Sequence, residues 1–153
     1  MVFVTIGTQK QQFDRLMKLL ENSKELKNED IVVQAGYTKY ENENWKILDF
    51  IPAEEIENYM KQAEFVICHG GVGSIFTALR LRKKVLVVPR LEKYGEHIND
   101  HQLEICEQLE KEGYILYLKQ DNDFDKLVRK VKKRNAKMYR VDHSFLDKLR
   151  KEI

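Results

Sequence analysis

The apolar positions of this chain come in short blocks whose period switches repeatedly between the strand and helix spacings. Val2-Phe3-Val4-Thr5-Ile6 is an apolar run stopped by Gly7-Thr8, and Phe13, Leu16, Met17, Leu19 and Leu20 then recur at helical spacing. Further strands are predicted over residues 31–35 (ending at Gly36), 45–50 (stopped before Pro52), 65–68, 85–88 (ended by Pro89) and 114–118. Helices are predicted over residues 53–62 and 73–81, and from about residue 98 to Glu112, where Gly113 closes the helix. From Asp123 onward the pattern is helical, with a break near Asn135. Strands alternating with helices in this way predict an α/β fold, a single Rossmann-like, doubly wound parallel sheet with helices on both faces.

Length and composition narrow the picture further. The 153 residues suit one domain, with a core over 1–120 and a basic helical segment over 123–153. No internal repeat, low-complexity tract or linker divides it, and no apolar run is long enough to span a bilayer. A net charge of only +2, without basic-aromatic alternation, argues against nucleic acid. Arg129, Lys130, Lys132, Lys133, Arg134, Lys137 and Arg140 form one basic stretch, read as a solvated helix face, with an anionic membrane surface or acidic partner as the alternative. Cys68 and Cys106 fall in segments that read as buried, which predicts reduced thiols in a cytoplasmic protein. The first strand has no charged leader before it, so no signal peptide is expected.

The chemistry concentrates at His69-Gly70-Gly71-Val72-Gly73-Ser74, where a strand turns directly into a helix. Glycines let a diphosphate approach the backbone and take positive φ at little cost, and helix N-terminal amides attract anions. Ser74 adds a hydroxyl and His69 a ring donor; the alternative is a tight turn capped by serine, with no ligand. No dinucleotide fingerprint follows Gly7-Thr8 and no Walker lysine follows Ser74, so dehydrogenase and nucleotide-hydrolase readings lose their support. A doubly wound sheet places Gly7-Thr8, Gly36, residues 69–74 and the loop after Pro89 at one carboxyl edge. Asp121-Asn122-Asp123-Phe124-Asp125 reads as helix-start acids rather than a metal motif. Trp45, Tyr37 and Tyr40 read as packing residues and His143 as structural or solvent-facing.

Three segments in order carry a resemblance: Ile67-Cys68-His69-Gly70-Gly71-Val72-Gly73-Ser74-Ile75, then Val87-Val88-Pro89, then Glu96-His97-Ile98-Asn99-Asp100-His101-Gln102-Leu103. Together with Val4-Thr5-Ile6-Gly7-Thr8 and Phe13-Asp14-Arg15-Leu16, they resemble the C-terminal donor domain of glycosyltransferase family 28, half of a GT-B fold, from residue 1 to about 118. The chain looks most like the small soluble subunits of split glycosyltransferases. These occur in bacterial capsule and exopolysaccharide synthesis and in the eukaryotic two-part enzyme that adds GlcNAc to a dolichol-linked sugar.

The resemblance implies a donor site made of Gly7, Thr8, His69, Gly70, Gly71, Gly73, Ser74, Thr77, Glu96, Asp100, His101 and Gln102. Amides of Gly71, Gly73 and Ser74 with the Ser74 hydroxyl would hold the diphosphate, while His101 and Gln102 would bind the sugar, flanked by Glu96 and Asp100. Many relatives carry an acid that grips the ribose where this chain has Thr77, which offers no charge-assisted pair of bonds. The implied substrate is a UDP-sugar, with no cofactor and no metal. The implied partner is a membrane-anchored acceptor-domain subunit that brings a lipid-linked saccharide, holding this chain at the inner face of the cell membrane. His97 and His101 are candidate bases by their intrinsic pKa range, although the base is expected from the partner. A second reading is a non-catalytic subunit that stabilises or enhances a partner transferase. A two-domain epimerase is the third, and the chain is too short for it.

Overall fold

The computed structural model describes residues 1–97 and 100–134, the side chain of His101 excepted. The predicted break near Asn135, Lys137, Arg140 and His143 lie outside the described residues, as do Ile98 and Asn99. The strands are β1 (Val2–Thr5), β2 (Ile31–Gln34), β3 (Lys46–Leu48), β4 (Phe65–Cys68), β5 (Val85–Val87) and β6 (Leu116–Tyr117). The helices are α1 (Asp14–Asn22), α2 (Ala53–Gln62), α3 (Val72–Arg80), α4 (His101–Lys111) and α5 (Phe124–Lys133), with single 3₁₀ turns at Glu92–Tyr94 and Asp121–Asp123.

All strand pairings are parallel, in the order β3-β2-β1-β4-β5-β6. This is the doubly wound order whose winding reverses between β1 and β4. The strands alternate their side chains between two apolar layers, because successive Cβ atoms point to opposite faces. Val2, Val4, Phe65, Ile67 and Leu86 pack with Leu16 and Met17 of α1 and Val128 and Val131 of α5. Phe3, Val66, Cys68, Val85 and Val87 pack with Met60, Ile75, Ala78, Ile105 and Leu109 of α2, α3 and α4. Because both faces are covered, the central strands β1, β2, β4 and β5 are near-continuous apolar runs, broken only by Thr5 and Gln34 at the carboxyl ends of β1 and β2.

The last predicted strand is shorter than its apolar run. Gly113 turns the chain at φ +85°, the Tyr114 amide donates back to Leu109, and only Leu116 and Tyr117 pair with β5 at the sheet edge. Cys68 and Cys106 are free and buried in the same layer, and burial pushes the Cys106 thiol up to about 12 and Cys68 in the same direction. The acids at residues 121–125 do not cap α5 by a side chain, since its N-cap Asp123 makes no side-chain capping bond. Instead Asp121 pairs with Arg15, and Asp125 accepts from the Ser23 hydroxyl and the Lys24 amide, tying α5 to α1.

Candidate donor site at the carboxyl edge

β1 and β4 are neighbours, yet α1 and α3 leave them for opposite faces of the sheet. In a doubly wound sheet this is the switch point, where the ligand crevice lies at the carboxyl ends of the strands, and Gly7 and the 69–74 turn flank it. The ladder runs into this crevice: the Ile6 amide donates to Gln34 and the His69 amide to Thr5, both at 3.1 Å.

The glycine turn works differently from the expectation of cheap positive φ. Positive φ occurs at Gly7, Gly36, Gly95 and Gly113 and not at Gly70, Gly71 or Gly73. What Gly70 and Gly71 provide is room. A Cβ at Gly71 would stand 2.2 Å from Cε1 of His69, and one at Gly7 would stand 2.5 Å from Nε2 of the same ring. The imidazole is thus held between the two strand ends. A Cβ at Gly70 would stand 2.8 Å from Oε1 of Gln102 and 3.4 Å from Cβ of Pro89, so this glycine admits the start of α4 and the end of the β5 segment.

Gly73 is the exception. A Cβ there would meet nothing within 4 Å, its φ is not positive, and it is exposed in the first turn of α3. Nothing within the described chain requires glycine at this position. The helix begins at Val72 with Gly71 as N-cap and no side-chain cap, so Ser74 is not the predicted cap. The first bond of the helix comes from the Ile75 amide to Gly71, which leaves the Val72, Gly73 and Ser74 amides without an intrahelical acceptor. The Val72 amide is an addition to the predicted set.

His69 is only 5% exposed, and its Nδ1 is buried without a hydrogen-bond partner. Burial first, then Arg90 and His97, push its pKa down to about 3, so the ring is neutral near pH 7 and a weak base. Oε1 of Gln102 is a second buried atom without a partner beside the same turn. Thr77 donates its hydroxyl to the Gly73 carbonyl at 2.9 Å, one turn back on α3.

Glu96 and Asp100 have structural partners. Glu96 is 3% exposed; it accepts from Nε and Nη2 of Arg15 and from the Leu91 amide, each at 3.0 Å. Its carboxylate shapes the loop after β5 instead of reaching out to sugar hydroxyls. Asp100 accepts from the Glu92 amide at 3.0 Å and fastens the same loop. Thr8 is exposed beside Gly7, and His97 is half-buried. His101 opens α4, and its side chain lies outside the described residues.

Arg90 and Arg15 are the residues that sequence reasoning missed. Arg90 is 1% exposed and donates to the carbonyls of Ile6 (2.9 Å), Gln11 (2.7 Å) and Glu96 (3.0 Å), with its guanidinium 4.8 Å from the Phe13 ring centre. Burial outweighs the attraction of Glu96 and brings its pKa to about 10, still protonated near neutrality. Arg15 adds bonds to Asp121 and to the Pro89 carbonyl. The available signal was position: Arg90 is a charge immediately after a strand-ending proline at the carboxyl edge.

Comparison with known proteins places the fold and the family. The chain is 32% identical over 82 residues to a UDP-N-acetylglucosamine transferase subunit ALG13 from Candida albicans, covering 54% of this chain and 27% of that protein. It is 30% identical over 127 residues to the human protein of that name, covering 76% of this chain and 11% of the relative. This chain therefore matches only a minor part of these relatives. The solution structure of ALG13 superposes with a TM-score of 0.64 at 20% identity, covering 97% of this chain and 94% of that one. Spinosyn rhamnosyltransferase SpnG, solved with thymidine diphosphate, superposes at 0.61 and 20% identity, with 98% of this chain lying on 40% of that one. The fold is that of the C-terminal half of a GT-B glycosyltransferase. Residues 1–148 match the glycosyltransferase family 28 C-terminal domain, and the chain belongs to that family.

Proposed function

We propose that this chain is the UDP-sugar-binding subunit of a two-component glycosyltransferase. Its partner, a membrane-anchored acceptor-domain subunit, presents a lipid-linked saccharide in exopolysaccharide or capsule synthesis, and a hexose is transferred. The observation that carries this reading is Gly73. A helical, exposed glycine that the chain itself does not need costs stability, and a diphosphate resting on the first-turn amides is a reason to keep it. ALG13 relatives are named as subunits of a UDP-N-acetylglucosamine transferase, which supports both the donor class and the need for a partner.

In this reading the amides of Val72, Gly73 and Ser74 and the positive end of α3 hold the diphosphate and stabilise its growing charge as the glycosidic bond breaks. The sugar extends toward His101 and Gln102, whose α4 start is pressed onto Gly70. His69 is neutral and positions the two strand ends. The loop after β1 carries no carboxylate or histidine before Asp14, so the base that deprotonates the acceptor hydroxyl comes from the partner. Tyr37, Phe50 and Tyr94 are 46%, 52% and 53% exposed, and they follow β2, β3 and β5 on the same edge as the site. Apolar groups exposed around a ligand crevice suit a partner that closes over it.

A second reading, a non-catalytic subunit that enhances a partner transferase, draws on Thr77, whose hydroxyl is already bonded to Gly73. Titration of the purified chain with UDP and UDP-sugars, followed by a transfer assay with and without the co-expressed partner, decides between them. Donor binding by the chain with transfer only in the complex supports the donor-subunit reading. A complex that transfers sugar while the chain alone binds no donor, and whose donor binding is unchanged by substitutions in the 69–74 turn, supports the second.

A further inference from the structure

We infer that Arg90 is a positioning residue of the sugar-nucleotide site: its guanidinium fixes the separation between the loop after β1 and the loop after β5. The inference rests on the donor-site reading above and assigns a role that the reading leaves open. Arg90 reaches the carbonyls of Ile6 and Gln11 on one side and of Glu96 on the other, 84, 79 and 6 residues away in sequence. The two segments follow β1 and β5, which lie on either side of β4 and do not pair with each other, and one planar fork of donors joins them beyond the sheet.

Both segments touch the glycine turn. Gly7, directly after Ile6, leaves room for His69, and Pro89, directly before Arg90, lies against Gly70. Moving either segment therefore moves a wall of the crevice relative to the first turn of α3. The arrangement is locked from outside by Arg15, which holds both the Glu96 carboxylate and the Pro89 carbonyl and so clamps the second loop to α1. Glu96 in turn accepts from the Leu91 amide, closing the loop on itself. Phe13 lies near both guanidinium groups, with the ring centre 4.8 Å from Arg90 and 5.5 Å from Arg15. A lysine at position 90 would keep the charge but could not place planar donors toward three carbonyls on two loops.

The diphosphate rests on α3 amides, whereas the sugar lies toward the loop and helix after β5. Loosening the fork should therefore affect the sugar more than the nucleotide. The test is titration of the full chain, and of its complex with the partner, with UDP and separately with UDP-GlcNAc, UDP-galactose and UDP-glucuronate. The preferred UDP-sugar should lose about tenfold or more in affinity in Arg90→Lys, while UDP loses less than about threefold. Arg15→Lys, which loosens only the outer lock, should shift the same ratio in the same direction by less, and serves if Arg90→Lys does not fold. Equal losses for UDP and UDP-sugar, or none, overturn the positioning role while leaving the donor-site reading intact. If the wild-type chain and complex bind neither ligand, the donor-site reading fails and this inference fails with it.

Discussion

The imidazole of His69 occupies the space that a side chain on residue 71 would need: a Cβ on Gly71 would stand 2.2 Å from Cε1 and 2.6 Å from Nε2. Backbone φ at Gly71 is −72°, so steric room for the ring, and not an unusual conformation, is what demands glycine here. Gly71→Ala should then destabilise the fold by about 1–3 kcal/mol through overpacking. His69→Ala should remove most of that penalty in the double variant, giving a coupling of about 1 kcal/mol or more in a urea-unfolding cycle. Additive effects would mean that the two residues do not compete for this space.

The same ring makes stability depend on pH. Its pKa is near 3 in the folded chain against an ordinary value of 6.5. Between these values the unfolded chain binds a proton that the folded chain does not, so His69 destabilises the fold progressively as pH falls from about 6.5 toward 3. The slope is at most about 1.4 kcal/mol per pH unit. His69→Asn should flatten the pH dependence of the urea midpoint in this window, and an unchanged slope would contradict burial of a neutral ring.

Gly73 should separate folding from binding. Alanine meets no atom within 4 Å there and suits helical φ, so Gly73→Ala should stabilise the chain by about 0.5–1 kcal/mol. The added methyl should also weaken UDP binding by about tenfold or more, because it stands where the diphosphate approaches the amides. A variant that is more stable and binds UDP normally would remove the reason given for this glycine.

Tyr37 and Phe50 form an edge-to-face pair with ring centres 4.9 Å apart, on the loops after β2 and β3. If the partner subunit closes over this edge, Phe50→Arg should weaken the complex by about 2 kcal/mol or more, read by co-purification and ultracentrifugation. UDP affinity of the chain itself should not change. Full retention of the complex would place the partner elsewhere.

The element order was legible because each apolar block is local: α2 spans residues 53–62 and β4 residues 65–68 in the structure, as their runs predict. The parallel sheet follows from the alternation of strands and helices, and it brings Gly7 and the 69–74 turn to one carboxyl edge as expected. The roles of individual charges were not legible. The resemblance implies Glu96 as a residue flanking the sugar; its partner in the structure, Arg15, is 81 residues away. Arg90 bonds only backbone carbonyls, which carry no residue-type signal that a sequence can display. The glycines misled in a subtler way, since a glycine kept for a neighbour's side chain and one kept for positive φ look identical in sequence.

Ser74 offers the most direct test of the diphosphate site. It is the third residue of α3, where a carboxylate favours the helix dipole but would repel a bound diphosphate. Isothermal titration of wild type and Ser74→Asp with UDP and the preferred UDP-sugar, alongside thermal unfolding of both, reads the two effects together. The account predicts wild-type binding, no measurable binding by Ser74→Asp, and a variant at least as stable as wild type. Undiminished affinity in a folded Ser74→Asp chain would contradict it and place the diphosphate away from the 69–74 turn.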